Sequence, residues 1–248
     1  MTDATNYLAR LSFAAAVATA AVIATAQDAS AIVRGKPAGS IARHVVRVVI
    51  PGGWCSGTVV GRQTILTAAH CLAVRGAHVA AGGRRIAIVS SAHAGDDTVT
   101  AQLAEPLPSS FIPIRVGDGA GGGDLIIAGY GTPVEGIKPR DAGVREARVV
   151  AESGGYGTLV DPARRGGVGA SACMGDSGGP VVRRDAHGYV LVGVITKASR
   201  YSATHACGQM THYTSASGSG FNSEAEHTIV DTHAAGRPHR HHKAKRRR

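Results

Sequence analysis

Aromatic residues make up only 4% of this chain, and acids number 17 against 27 Lys and Arg. Few rings, set beside 34 glycines and a 44% hydrophobic content, point away from a helical bundle and toward a loop-rich β protein with a sizeable core. Long helical periodicity is missing through the body. The apolar run Leu11 to Ile23 is too short to span a bilayer comfortably. No C-x-x-C and no paired Cys/His zinc spacing occurs, so neither a metal nor a cofactor is expected.

What is present divides the chain into three. Arg10, the apolar run and the small residues after it read as an export signal over 1–31. Two A-x-A cleavage sites are available, Ala24-Thr25-Ala26 and Ala29-Ser30-Ala31. Cleavage at the first would leave a short propeptide, 27–31. A secreted or extracytoplasmic protein follows, and an even count of four cysteines favours disulfides there. The body runs over 32–235. The last segment, 236–248, carries seven of the ten net positive charges, which leaves the body near +3. A solvated, disordered tail is its plain reading. Its electrostatic readings are attachment to an anionic cell-surface polymer, lipid headgroups or nucleic acid.

Within the body, short apolar runs alternate with turn clusters. Val45 to Ile50, Gly57 to Val60, Arg85 to Val89, Leu125 to Ala128 and Val144 to Val150 are predicted strands. Tyr189 to Thr196 is the clearest, joined to Pro180–Arg183 through the turn Asp185-Ala186-His187-Gly188. Ser223 and Glu226 make a capping-box pattern that predicts a short terminal helix over Glu224 to His233.

The chemistry lies in two widely separated motifs, Thr67-Ala68-Ala69-His70-Cys71 and Gly175-Asp176-Ser177-Gly178-Gly179-Pro180. A serine hydroxyl is a poor nucleophile at neutral pH. It needs an imidazole to take its proton and a carboxylate to hold that imidazole in one tautomer. His70 and Ser177 supply two of these groups, and a third segment must supply the acid.

Trp54-Cys55-Ser56-Gly57-Thr58-Val59-Val60 with Ile65 to Cys71 resembles the histidine region of trypsin- and chymotrypsin-like serine proteases. Cys173 to Pro180 resembles their serine region. Ile32-Val33-Arg34-Gly35 looks like their mature N-terminus, and Ile126 to Gly131, Leu191 to Ile195 and Tyr213-Thr214 look like their strands. The resemblance covers Ile32 to Ala235. It implies an all-β fold of two six-stranded antiparallel Greek-key β-barrels packed together, with a short C-terminal helix. It implies a monomer that hydrolyses protein or peptide substrates. Ser177 would attack and His70 would act as base and then acid. Asp97 at the head of Thr98 to Pro106 would orient the imidazole, with Asp96 as the alternative. Asp141 and Asp161 match less well. Backbone N–H groups of Gly175 and Ser177 would form an oxyanion hole, where each donor is typically worth about 3–4 kcal/mol of barrier.

The resemblance also pairs Cys55 with Cys71 and Cys173 with Cys207. It makes Asp176 the partner of a freed Ile32 ammonium, because an unpaired buried charge is costly. The residue before Ile32 is Ala31 rather than a base, so export cleavage itself is expected to expose Ile32. Ser171 aligns with the base of the specificity pocket, and Ala198 and Thr211 with walls that are often glycine. No Asp marks an Arg/Lys preference, so small or medium uncharged residues are expected before the cleaved bond. Lys197 stands where the resemblance expects Trp, which favours an acidic residue further upstream.

Overall fold

The computed structural model describes residues 32–117, 123–132, 143–152, 157–165, 169–199 and 207–216. The export signal, the basic tail and the predicted helix over Glu224 to His233 lie outside them.

The first barrel closes in the order β2-β3-β4-β7-β6-β5. Its strands are β2 Val45–Ile50, β3 Gly53–Val59, β4 Thr64–Ala68, β5 His78–Ala81, β6 Arg84–Gly95 and β7 Thr98–Leu103. The second ring joins β9 Asp124–Gly129, β10 Arg145–Ala151, β11 Thr158–Val160, β14 Met210–Ser215, β13 Gly188–Ser199 and β12 Pro180–Asp185. Pairing of β9 with both β10 and β12 closes it. Two accessory strands attach outside the rings: β1 Lys36–Pro37 lies on β10, and β8 Arg115–Val116 runs parallel to β13. Each barrel is a Greek key. Three hairpin-linked strands run in sequence, and the fourth (β5 or β12) returns beside the first (β2 or β9).

Alternation in the sequence explains the two interiors. In β7, Thr98-Val99-Thr100-Ala101-Gln102-Leu103 turns Val99, Ala101 and Leu103 inward. Val46, Val48, Ile65, Val79, Ile86 and Leu103 fill the first barrel. Ile32, Leu125, Ile127, Val149, Leu159 and Ile195 fill the second. A third cluster joins them, in which Val60 and Leu66 of the first meet Ala128, Val182, Leu191 and Val194 of the second. Low aromatic content suits this packing, since β-branched and small side chains fill narrow barrels.

The predicted strands all appear, mostly longer than their apolar runs. β13 extends to Ser199, and β3 starts at Gly53 and ends one residue before Val60. Among the described residues the helices are two short 3-10 turns, Ser40–His44 and Ala69–Leu72. None is long and apolar enough to cross a membrane.

Candidate active site

β4 ends at Ala68, which pairs with Thr98 at the start of β7. The 3-10 turn after β4 therefore begins beside the two-residue connection that precedes β7. The Ala69 N–H donates to the Asp97 carbonyl at 2.9 Å. His70 follows, and its backbone N–H donates to Asp97 Oδ1 at 3.0 Å. Its ring Nδ1 lies 2.8 Å from Asp97 Oδ2. Asp97 has φ 51°, a left-handed conformation that Asp tolerates better than most residues. That conformation turns both carboxylate oxygens back onto His70. The Asp97 side chain is 41% exposed, so it orients the ring through these hydrogen bonds more than through a buried charge. Asp96 instead ties the two barrels together, because its carbonyl accepts from Thr214 Oγ1 of the second barrel at 2.7 Å. Asp161 pins its own loop, accepting from the N–H groups of Ala163 and Ala170 at 2.7 Å each.

Ser177 comes to His70 through the backbone. Cys55 of β3 is disulfide-bonded to Cys71, the residue after His70. The next N–H along β3, that of Ser56, donates to the Ser177 carbonyl at 2.8 Å. Ser56 is fully buried, and its carbonyl accepts from Thr67 Oγ1 at 2.8 Å. Besides that bond, its Oγ donates to the Gly175 carbonyl and accepts from the Tyr130 N–H, both at 2.9 Å. Sequence inspection missed this residue. Its signal was a Ser at a strand position where an apolar residue would be ordinary. Thr58 adds a buried bond from Oγ1 to the Gly178 carbonyl at 3.0 Å.

Backbone conformation shapes the loop. Gly175 has φ +94°, and a Cβ there would lie 2.6 Å from Trp54 Nε1. Among the described residues, the N–H groups of Gly175 and Ser177 have no intramolecular acceptor. Two free donors beside a left-handed glycine are what an oxyanion requires. The Ser177 hydroxyl and His70 Nε2 are likewise unengaged, with no hydrogen bond between them.

Asp176 is completely buried. Gly131 N–H donates to its Oδ1 at 2.8 Å and Cys173 N–H to its Oδ2 at 2.9 Å. Burial pushes its carboxyl up to about 7, against the pull of hydrogen bonds from Cys173, Gly131 and Ile32. Ile32 is also fully buried, with φ 54°, and its backbone N–H reaches this carboxylate in the uncut chain. A Cβ on Gly131 would lie 2.2 Å from Asp176 Oδ2, so the cradle has room only for glycine.

The expected pocket residues gather around Ala172. Ser171 Oγ donates to the Ala172 carbonyl at 3.1 Å and accepts from the Gly208 N–H at 2.8 Å. Thr211 Oγ1 accepts from the Ala172 N–H at 2.9 Å. Ala198 of β13 faces Thr211 of β14 across the ladder. Ser171 and Thr211 are fully buried, and among the described residues no charged group joins them. Cys173 and Cys207 are disulfide-bonded and fasten this region to the loop carrying Ser177. Cys55, His70 and Cys71 crowd together, but both sulfurs belong to the disulfide and offer no thiolate to a metal.

A sequence model of the family described as Trypsin matches residues 32–217. A trypsin-like protease of Streptomyces glaucescens is 28% identical over 224 residues, covering 74% of this chain and 81% of that protein. In three dimensions, human heparin binding protein matches with a TM-score of 0.59 and 20% identity, over 75% of this chain and 92% of that one. That last likeness is one of fold. The family match spans both barrels and both motifs, from the buried Ile32 to the end of β14: the chain belongs to the trypsin family.

Proposed function

We propose that this protein is a secreted serine endopeptidase that works through an acyl-enzyme. The observation that carries the reading is the His70 ring held on Asp97 while the Ser177 carbonyl is held by Ser56, the neighbour of the Cys55–Cys71 disulfide beside that ring. Ser177 Oγ attacks the peptide carbonyl as His70 Nε2 takes its proton. The developing oxyanion receives the Gly175 and Ser177 N–H groups. His70 then protonates the leaving amine, and water repeats the cycle to release the acid. The uncharged surroundings of Ser171, Ala198 and Thr211 favour small or medium uncharged residues before the cleaved bond. Two disulfides and the family suit an extracellular protein.

Activation follows from Asp176. In the uncut chain it meets only amide donors, and its carboxyl sits at about 7. Cleavage after Ala31 would turn the Ile32 nitrogen into an ammonium, a full charge partner for the carboxylate. Signal peptidase acting at Ala29-Ser30-Ala31 would then deliver active enzyme without a separate activating protease.

The test combines N-terminal sequencing of secreted protein with a serine-directed organophosphonate. A start at Ile32 and labelling at Ser177, abolished by Ser177→Ala, are expected. Correctly processed protein that takes no label would instead be a catalytically inactive homologue acting as a cationic surface-binding protein. A start at Gln27 in fully active enzyme would end the activation scheme.

A further inference from the structure

A cleft of about 560 Å³ opens where three elements meet. These are the 3-10 turn Ser40–His44, residues 112–115 of the connection from the first barrel to the second, and the turn joining β12 to β13. Its size suits a small ligand or a few residues of a peptide. None of the candidate catalytic or pocket residues borders it. β12 starts at Pro180, just after Ser177, and meets the cleft at its other end, a strand length of about 17 Å away.

Arginine sets the charge of this cleft. Arg43, Arg115 and Arg184 line it against one carboxylate, Asp185. That carboxylate is already engaged. Arg115 meets its Oδ2, Arg183 approaches the same oxygen at 3.9 Å, and the His187 N–H donates to its Oδ1 at 2.8 Å. Arg43 and Arg184 are exposed and, among the described residues, neither meets a carboxylate. Arg43 donates through Nε to the Ser110 carbonyl at 3.4 Å, which leaves its two terminal nitrogens. Arg184 lies 4.7 Å over the Tyr189 ring and donates to its hydroxyl, so it has less side-chain freedom to lose on gripping a ligand. His44 adds no charge. Its Nδ1 donates to the Ile112 carbonyl at 2.7 Å, and burial lowers its pKa, so the neutral ring keeps Nε2 as an acceptor. Ile112, Pro113 and Ile114 place an apolar stretch beside these cations, and Ile112 is 36% exposed.

We propose that this cleft binds an acidic peptide segment of a partner protein, in which carboxylates flank an aliphatic side chain. The site is separate from the triad and does not depend on the endopeptidase reading. Arg43 and Arg184 take the carboxylates, because the planar guanidinium matches a carboxylate through paired hydrogen bonds. The aliphatic side chain covers Ile112 and Pro113 and removes their apolar surface from water. His44 Nε2 offers an acceptor to a peptide N–H. Other ligand classes satisfy only part of this lining. A sulfated sugar chain would answer the cations but has no aliphatic side chain for Ile112. An aromatic ring would compete with Arg184 for a face of Tyr189. The chain's own tail over 236–248 is basic and has the wrong sign.

Fluorescence anisotropy tests this with a labelled peptide, Glu-Glu-Leu-Glu-Glu, titrated onto full-length Ser177→Ala protein, whose nucleophile is removed. Gln-Gln-Leu-Gln-Gln should bind about tenfold more weakly, and Glu-Glu-Ser-Glu-Glu about fivefold more weakly. Arg43→Ala and Arg184→Ala should each cost about two- to fivefold in Kd, and together about tenfold. The tail variant Arg246→Gln/Arg247→Gln/Arg248→Gln should bind as before. Equal binding of the Glu and Gln peptides, or affinity unchanged in the Arg43→Ala/Arg184→Ala protein, would overturn the site. So would a loss that follows the tail variant instead of the cleft variants. A sulfated tetrasaccharide that binds more tightly, and needs Arg43 and Arg184 to do so, would overturn the peptide assignment. Binding seen only after Glu224→Gln/Glu226→Gln would mean that the chain's own acids fill the cleft, and no partner does.

Discussion

At the scale of single residues, much of the site depends on atoms that carry no chemistry. Ser56 holds the Gly175 and Ser177 carbonyls together, so it sets the direction of the two N–H groups between and beside them. Ser56→Ala should lower kcat about tenfold with KM nearly constant, a loss of about 1.4 kcal/mol felt only when the oxyanion forms. Steady-state kinetics on one peptide checks it, and a change in KM alone would show that Ser56 merely shapes substrate binding. Legibility also differs by residue. His70, Ser177 and Gly175 stand in motifs whose types and spacing are visible in one dimension. The choice of Asp97 over Asp96 needed the turn before β7, where left-handed backbone aims one carboxylate at His70 and sends the neighbouring carbonyl to Thr214.

At the scale of elements, strand existence was readable and strand extent was not. The short apolar runs mark β2, β9 and β10 within a residue at each end. β6 is twelve residues long, and its second half, Ser90 to Gly95, is mostly exposed and lacks large apolar side chains. Pairing with β7 sustains it, which local hydrophobicity does not reveal. One covalent link joins two elements at the site: the Cys55–Cys71 disulfide fastens β3 to the turn bearing His70. The double variant Cys55→Ala/Cys71→Ala should lose about 3 kcal/mol of stability, as expected for a closed loop of this size. Urea unfolding measures that loss. Activity should fall below what the unfolded fraction explains, because Ser177 is held to β3 and His70 is no longer held to it.

At the scale of the whole molecule, Asp176 ties stability to pH. Its folded-state value of about 7 stands above the ordinary 3.8, so the folded chain keeps a proton that the unfolded chain releases. That contribution is complete below about pH 4 and is lost as pH rises to about 7, amounting to a few kcal/mol. Uncut Ser177→Ala protein should therefore show a Tm that falls between pH 4 and 7 more steeply than the same protein carrying Asp176→Asn. Equal slopes would mean that the carboxylate is already compensated before cleavage. Protein cut after Ala31 should lose the excess slope, since the Ile32 ammonium stabilises the ionised form.

The sequence by itself pointed to an all-β body through its short apolar runs and supplied the candidate groups through two motifs, while the two barrels and the proposed reaction class came from the family resemblance those motifs carry. Tertiary structure decided which acid meets His70, that Ser56 links three segments, and that glycine is required at Gly131 beside Asp176. It also decided that Lys197 and Thr211 lie on opposite faces of the β13–β14 ladder. The physical reason is distance along the chain. His70 and Ser177 are over a hundred residues apart, and contacts between such segments depend on how two closed barrels pack, which no local pattern encodes.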